Sequence, residues 1–282
     1  MPRIGIVTPV LTRVVGAHGR WERTAGLAEV ARIAETADRL GYDHLTCAEH
    51  IAVPTAFAES RGGTYWDPLA TLGYLAARTT RIRLATSVLV LGYHHPLALA
   101  KQYGTLDRVS GGRLVPGVGV GTLHEEFDLL GVPFDDRGER ADDALQALRA
   151  ALSQRQPAYE GPYYRFGGMI VDPCATQEHV PIWVGGRTRR SLRRAVTLAD
   201  GWMPFGLSAD DFDRMLSDVE RPDNFEAVLA PDRALNPIGQ PALAGDTIGR
   251  LVEIGATIVS VRLIAHSLEE YLEQLEALAV MT

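Results

Sequence analysis

Eight times between residues 3 and 279 the chain follows a short apolar run with a segment of helical period. The apolar runs fall at 3–9, 43–47, 81–91, 113–119, 181–184, 201–204, 225–230 and 257–264. The helical patterns fall at 24–40, 67–79, 95–109, 136–152, 189–199, 208–219, 244–255 and 267–279. Strands that read as unbroken apolar runs are buried on both faces, and strands separated by helices pair in parallel through crossovers. Eight such units predict an α/β fold whose sheet closes on itself, a (β/α)8 TIM barrel with loop insertions. A length of 282 residues suits one such domain spanning 1–282.

The punctuation agrees. Gly41 ends the first helix, Pro96 opens the third and "SGGR" turns the chain into the fourth strand. Ser267 with Glu270 has the spacing of a capping box at the start of the last helix. The longer irregular pieces, 10–23, 52–66, 155–180 and 230–243, read as loop insertions. Barrel chemistry gathers where the strands end and the βα loops begin. That rule narrows the search to Thr8 and Pro9, Glu49 and His50, Ser87 to His95, Gly117 to Glu126, and Gly185 to Arg190.

Composition excludes several classes. A net charge of -7 argues against a general nucleic-acid binder. No run of eighteen apolar residues suggests a membrane span, and "MPRIGIVTPV" reads as a first strand rather than a signal peptide. Cys47 and Cys174 cannot build a disulfide framework, which points to a reducing cytoplasm. There is no HExxH, no zinc spacing, no P-loop and no GxSxG elbow, so no metal is expected. Glu125, Glu126 and Asp128 could imitate a carboxylate metal site, but an acidic helix start explains them more economically.

Two stretches ask for an explanation. In "RLVPGVGVGTLHEEF", Gly117, Gly119 and Gly121 leave a strand bare at alternate positions, with GxGxG rather than dinucleotide spacing. Either the barrel interior needs small residues where strands crowd, or a flat ligand approaches the backbone. In "GGRTRRSLRR", five arginines fall within ten residues of an otherwise acidic chain, which makes either a solvated helix face or an anion site.

The order of "GYDHLTCAEHI", "TRIRLATSVLVLGYHHPLALAKQYGTLDRVSGGRLVPGVGVGTLHEEFDLLG", the "YEGPYYRF" hairpin and "PIWVGGRTRRSLRRAVTLADGW" resembles the bacterial luciferase-like monooxygenase superfamily, and within it the deazaflavin branch that uses coenzyme F-420. The resemblance covers roughly residues 1 to 205. It implies that Gly117, Gly119 and Gly121 lie beside the flavin or deazaflavin ring, with Thr122 where many relatives carry Trp or Glu. It implies a cis peptide at Ser87–Val88 forming a bulge behind the ring. Gly185, Gly186 and Thr188, with Arg187, become the phosphate candidates at a helix N-terminus, while Arg193 and Arg194 read as surface charges. His50 would face the cofactor's reactive edge as proton partner, or as a hydrogen-bonding residue only. Glu49 reads as an interior polar partner; His94 and His95 are adjacent, so at most one reaches the site.

The resemblance therefore implies an oxidoreductase moving a hydride between coenzyme F-420 and a small organic substrate. The alternatives are an FMN-dependent monooxygenase supplied by a separate flavin reductase, and a barrel that binds cofactor without turnover. Trp21, Phe57, Tyr65 and Trp66 on the loops 10–23 and 52–66 are expected to wall the substrate pocket. Helix 67–79 is apolar around most of its circumference, and relatives pair through it and the next helix, so a homodimer is expected.

Overall fold

The computed structural model describes residues 2–282 apart from Val14 and Ala17. Strand β1 (Arg3–Ile6) leads to helix α1 (Leu27–Leu40), and β2 (His44–Cys47) to α2 (Thr55–Arg61) and α3 (Pro68–Ala76). The third strand is in two pieces, β3 (Arg83–Thr86) and β4 (Leu89–Val90), ahead of α4 (Pro96–Ser110). So is the fourth, β5 (Leu114–Val115) and β6 (Gly117–Gly119), followed by α5 (His124–Leu130) and α6 (Arg137–Leu152). A hairpin of β7 (Tyr159–Glu160) and β8 (Arg165–Phe166) precedes β9 (Trp183–Gly185) and α7 (Arg189–Leu198). Three further units are β10 (Gly201–Met203) with α8 (Ala209–Leu216), β11 (Glu226–Leu229) with α9 (Pro241–Glu253), and β12 (Ile258–Val261) with α10 (Leu268–Met281).

The strands form one parallel sheet in which β1 sits between β12 and β2. The ring closes because β3 pairs with β5 while β4 pairs with β6, and β6 also pairs with β9. The expected (β/α)8 barrel is present. Pairing joins Ala85 to Val115 and Leu89 to Val118, four steps along the first strand against three along the second. The extra residue is a bulge around Ser87 and Val88, where the peptide bond is cis, as is that of Asp172–Pro173.

The barrel interior is filled by Ala85, Val115, Trp183, Met203, Val228 and Ile258, with Val88 packed on top. At the opposite end a polar plug closes it. Arg83 lies 5.0 Å from the Trp183 ring, the Trp183 indole donates to Glu226 at 2.6 Å, and fully buried His44 bonds Asp43 at 2.8 Å and Ser260 at 3.1 Å. Burial keeps His44 neutral, its pKa well below the usual range. A second, larger apolar core lies between the sheet and the helices.

One helix occupies a segment that the sequence pattern leaves irregular: α2 lies inside the 52–66 insertion and buries none of its residues. Helix α5 covers the "HEEF" motif, with Glu125 and Glu126 in its first turn as the acidic helix start expected there. Helix α1 starts at Leu27 because Glu29 reaches back to the Gly26 amide at 2.7 Å and closes the turn there.

Candidate active site

His50 leaves the end of β2 with its Nδ1 2.7 Å from Glu126 Oε2 and its ring edge-on to Tyr65 at 4.4 Å. Glu126 is 1% exposed. A buried carboxylate must have its lone pairs filled, and here all donors come from the mouth itself. Oε1 accepts the amides of Ile51 at 2.7 Å and Ala52 at 3.2 Å, while Oε2 accepts the Tyr93 hydroxyl at 2.8 Å besides meeting His50. Burial, reinforced by Glu126 and Glu49, pushes the Tyr93 phenol above its usual range, so it stays a donor. The His50 side chain is 24% exposed, and its Nε2 has no hydrogen-bond partner among the described residues.

The neighbouring residue reaches the other way. Glu49 accepts the Val90 amide at 2.7 Å through Oε2 and bonds His94 Nε2 at 2.7 Å through Oε1. This is the interior polar role expected of Glu49. The two adjacent histidines diverge as expected: His94 turns to Glu49, whereas exposed His95 caps α4 by accepting from Leu97 and lies beside Tyr164. The dipeptides Glu49–His50 and Tyr93–His94 are thus joined twice, directly and through Glu126.

The glycines of the fourth strand face the protein's own atoms. A Cβ on Gly117 would fall 2.0 Å from the Thr86 carbonyl oxygen. One on Gly119 would meet Val88 Cγ2 at 2.7 Å, and one on Gly185 would meet Val88 Cγ1 at 2.6 Å. The bulge side chain is a wedge seated between two strands, and crowding accounts for the bare positions. Thr86 and Gly117 also exchange hydrogen bonds, with the Gly117 amide donating at 2.9 Å and the Thr86 hydroxyl at 2.8 Å. Gly121 has φ 77°, beyond easy reach of other residues, and its carbonyl accepts from Arg137 at 3.2 Å. Thr122 is exposed, and Ser87 and Val88 are half-buried at the rim of the interior.

After β9, Gly186 at φ 112° turns the chain into α7. Thr188 caps that helix reciprocally with Ser191: its hydroxyl accepts from the Ser191 amide at 3.1 Å, and its amide donates to the Ser191 hydroxyl at 3.1 Å. Both polar groups of Thr188 are therefore engaged locally, while helix geometry leaves the amides of Arg189 and Arg190 without intrahelical acceptors. Arg187 is exposed, 5.8 Å from the Phe205 ring. The reading of Arg194 as a surface charge is corrected. Arg194 is 7% exposed, paired with Asp142 and donating to the Gly138 carbonyl at 2.9 Å, because its helix face packs on α6. Arg189 pairs with Asp218 at 2.7 Å.

Of the four loop aromatics, Tyr65 alone reaches His50. Trp21 packs on Tyr271 at 5.9 Å, Trp66 joins the apolar core, and Phe57 lies exposed under Arg61. An antiparallel bridge between Thr12 and Tyr65 ties the two loops together. Buried Glu22 further pins the first loop, accepting the amides of Val10 at 2.8 Å and Gly19 at 2.7 Å. Glu126 and Tyr93 fall within the stretches that the strand-end rule singles out, but sequence reasoning gave neither a role beside His50. The only signal was a pair of glutamates opening a short helix, of which Glu125 is exposed and Glu126 is not. Among the described residues, no group of three or more His, Cys, Asp or Glu is placed to hold a metal, and no helix is long and apolar enough to cross a membrane.

A parallel barrel with a histidine–carboxylate pair in its mouth has the architecture of a barrel enzyme. The chain belongs to the luciferase-like monooxygenase family, whose sequence model matches residues 3–224. It is 31% identical over 242 residues to an uncharacterised protein of Mycobacterium tuberculosis, covering 81% of this chain and 83% of that one. Its fold matches the coenzyme F-420-dependent tetrahydromethanopterin reductase of Methanopyrus kandleri with a TM-score of 0.75, at 16% identity over 99% of this chain and 97% of the other. It also matches the oxygenating constituent of 3,6-diketocamphane monooxygenase of Pseudomonas putida, solved with FMN, with a TM-score of 0.73 at 15% identity over 99% and 97%. At those identities the two structures share the fold with this chain and decide nothing about its cofactor.

Proposed function

We propose that this protein is an oxidoreductase that moves a hydride between coenzyme F-420 and a small organic substrate. The observation that carries the reading is His50, held through Nδ1 by a buried carboxylate and left open at Nε2 on a partly exposed ring. The site fits such a cofactor. The half-buried Val88 and Ser87 offer a floor for a flat ring, and the open amides of α7 with Arg187 and Arg190 offer an anion site. Gly186, with φ 112° and Ser191 Cβ 2.9 Å from where a Cβ would stand, sets the turn ahead of those amides. When bound, the deazaflavin supplies the carbon that gives or takes the hydride. His50 holds or accepts a proton at Nε2 next to the substrate oxygen, and Tyr65 fixes the plane of its ring. Cys47 and Cys174 are unpaired thiols, which suits a reducing cytoplasm.

A second reading has its own support. Arg189 and Arg194 are already paired with Asp218 and Asp142, which leaves less positive charge for a long anionic tail and favours FMN, with a separate flavin reductase. Fluorescence titration with F-420 and with FMN separately decides between them. F-420 is expected to bind at micromolar or tighter affinity, weakened by salt, and Gly186→Val to abolish it. Tight binding of FMN alone overturns the reading. His50→Ala is expected to lower kcat by about 10²–10⁴-fold. Helices α3 and α4 form the surface on which we propose the homodimer: Ala70 and Ala77 are exposed, and the space above Gly73 is open.

A further inference from the structure

Glu126 lies 76 residues from His50 in sequence and meets it at 2.7 Å. Its two oxygens have different company. Oε1 faces only backbone amides, those of Ile51 and Ala52, which can donate and never accept. Oε2 faces the Tyr93 hydroxyl and His50 Nδ1. Were Nδ1 unprotonated, two lone pairs would oppose each other at that distance with no water between them.

We propose that Glu126 is a positioning residue that fixes the proton of neutral His50 on Nδ1 and so keeps the Nε2 lone pair directed at the substrate. The inference rests on the reading of His50 as proton partner. The carboxylate touches neither substrate nor cofactor; it acts through the ring. Its other bonds serve the same end. The amides of Ile51 and Ala52 belong to the turn that carries His50, so one side chain sets both where the imidazole stands and which nitrogen is bare. The Tyr93 hydroxyl fills the remaining acceptor site on Oε2 and keeps water from it.

The substitution Glu126→Gln tests this with little change of shape. The amides of Ile51 and Ala52 require an oxygen, so the glutamine NH₂ must take the place of Oε2 and donate to Nδ1. The tautomer of His50 should reverse. The measurement is the ring ¹⁵N spectrum of full-length protein labelled at histidine, recorded at alkaline pH and assigned against His50→Asn. The wild type should show Nδ1–H and the variant Nε2–H. In turnover, the variant should lose about 10²–10⁴-fold in kcat, with KM and cofactor Kd little changed, as expected when a catalytic imidazole is held in the wrong tautomer. Tyr93→Phe should keep the tautomer, because it leaves the Nδ1 contact with Glu126 Oε2 in place. A wild-type ring protonated on Nε2 overturns the proposal, and that measurement needs no variant. A reversed tautomer with undiminished kcat overturns it as well, provided that His50→Ala is inactive. If His50→Ala is fully active while the tautomer reverses, the proposed role of His50 fails and the positioning by Glu126 stands.

Discussion

Alanine at Gly119 places a methyl carbon 2.7 Å from Val88 Cγ2, and alanine at Gly185 places one 2.6 Å from Val88 Cγ1; ordinary contact is 3.4–4 Å. Each substitution therefore needs most of an ångström from the same side chain. Val88 cannot give it by rotation, because turning away from one strand presses its other methyl into the second. Overpacking of this kind costs about 1–3 kcal/mol per site. Val88→Ala removes both methyls from a half-buried position and should cost on the order of 1 kcal/mol by itself. Combined with Gly119→Ala it removes the obstacle, so the double variant should be more stable than the sum of the singles by about 1–2 kcal/mol. Gly117→Ala is the control: its obstacle is the Thr86 carbonyl at 2.0 Å, backbone that trimming Val88 does not move. Urea unfolding of the four variants and two doubles gives the cycle. Additivity within about 0.5 kcal/mol for Gly119→Ala with Val88→Ala would refute the wedge.

Two further outcomes follow from other parts of the molecule. Burial opposes ionisation of Asp43, yet its hydrogen bond to His44 and the charge of Arg83 hold it down at about 2. With the folded value depressed, its contribution, on the order of 2 kcal/mol, is complete above the unfolded value near 4 and is lost as pH falls towards about 2; Asp43→Asn should flatten that acid limb in urea unfolding, and an unchanged limb would count against it. Sedimentation at micromolar concentration should give about twice the 30.7 kDa chain mass, and Gly73→Glu on α3 should halve it; a lone 30.7 kDa species rules the dimer out.

The order of strands and helices was legible because parallel strands buried on both faces announce themselves as apolar runs. The bulge at Ser87–Val88 came from the family resemblance, as did the role given to His50, whose place at a strand end the barrel pattern had already marked. What sequence could not separate were residues of one type that differ only in the direction they face. Glu125 and Glu126 are neighbours with the same chemistry; one is in solvent and the other is the buried hub of the mouth. Arg193 and Arg194 differ in the same way, and only the packing of α7 on α6 selects Arg194 for a partner. Trp21 looked like a pocket wall, but its ring packs on the last helix, 250 residues away. The glycines remained ambiguous because crowding from within and approach from outside leave the same mark on a sequence, a missing side chain.

The loops of such barrels are often treated as exchangeable parts, each grafted with its own strand. The mouth of this one is not modular. A transplanted segment carrying Glu49 and His50 would arrive without Glu126, which α5 supplies, and without Tyr93 and His94, which follow β4. A graft of any one loop would leave a buried carboxylate facing empty space, or an imidazole with no carboxylate at all. Function transferred into or out of this scaffold has to move three βα units together, and a library that varies one loop at a time samples mostly broken sites.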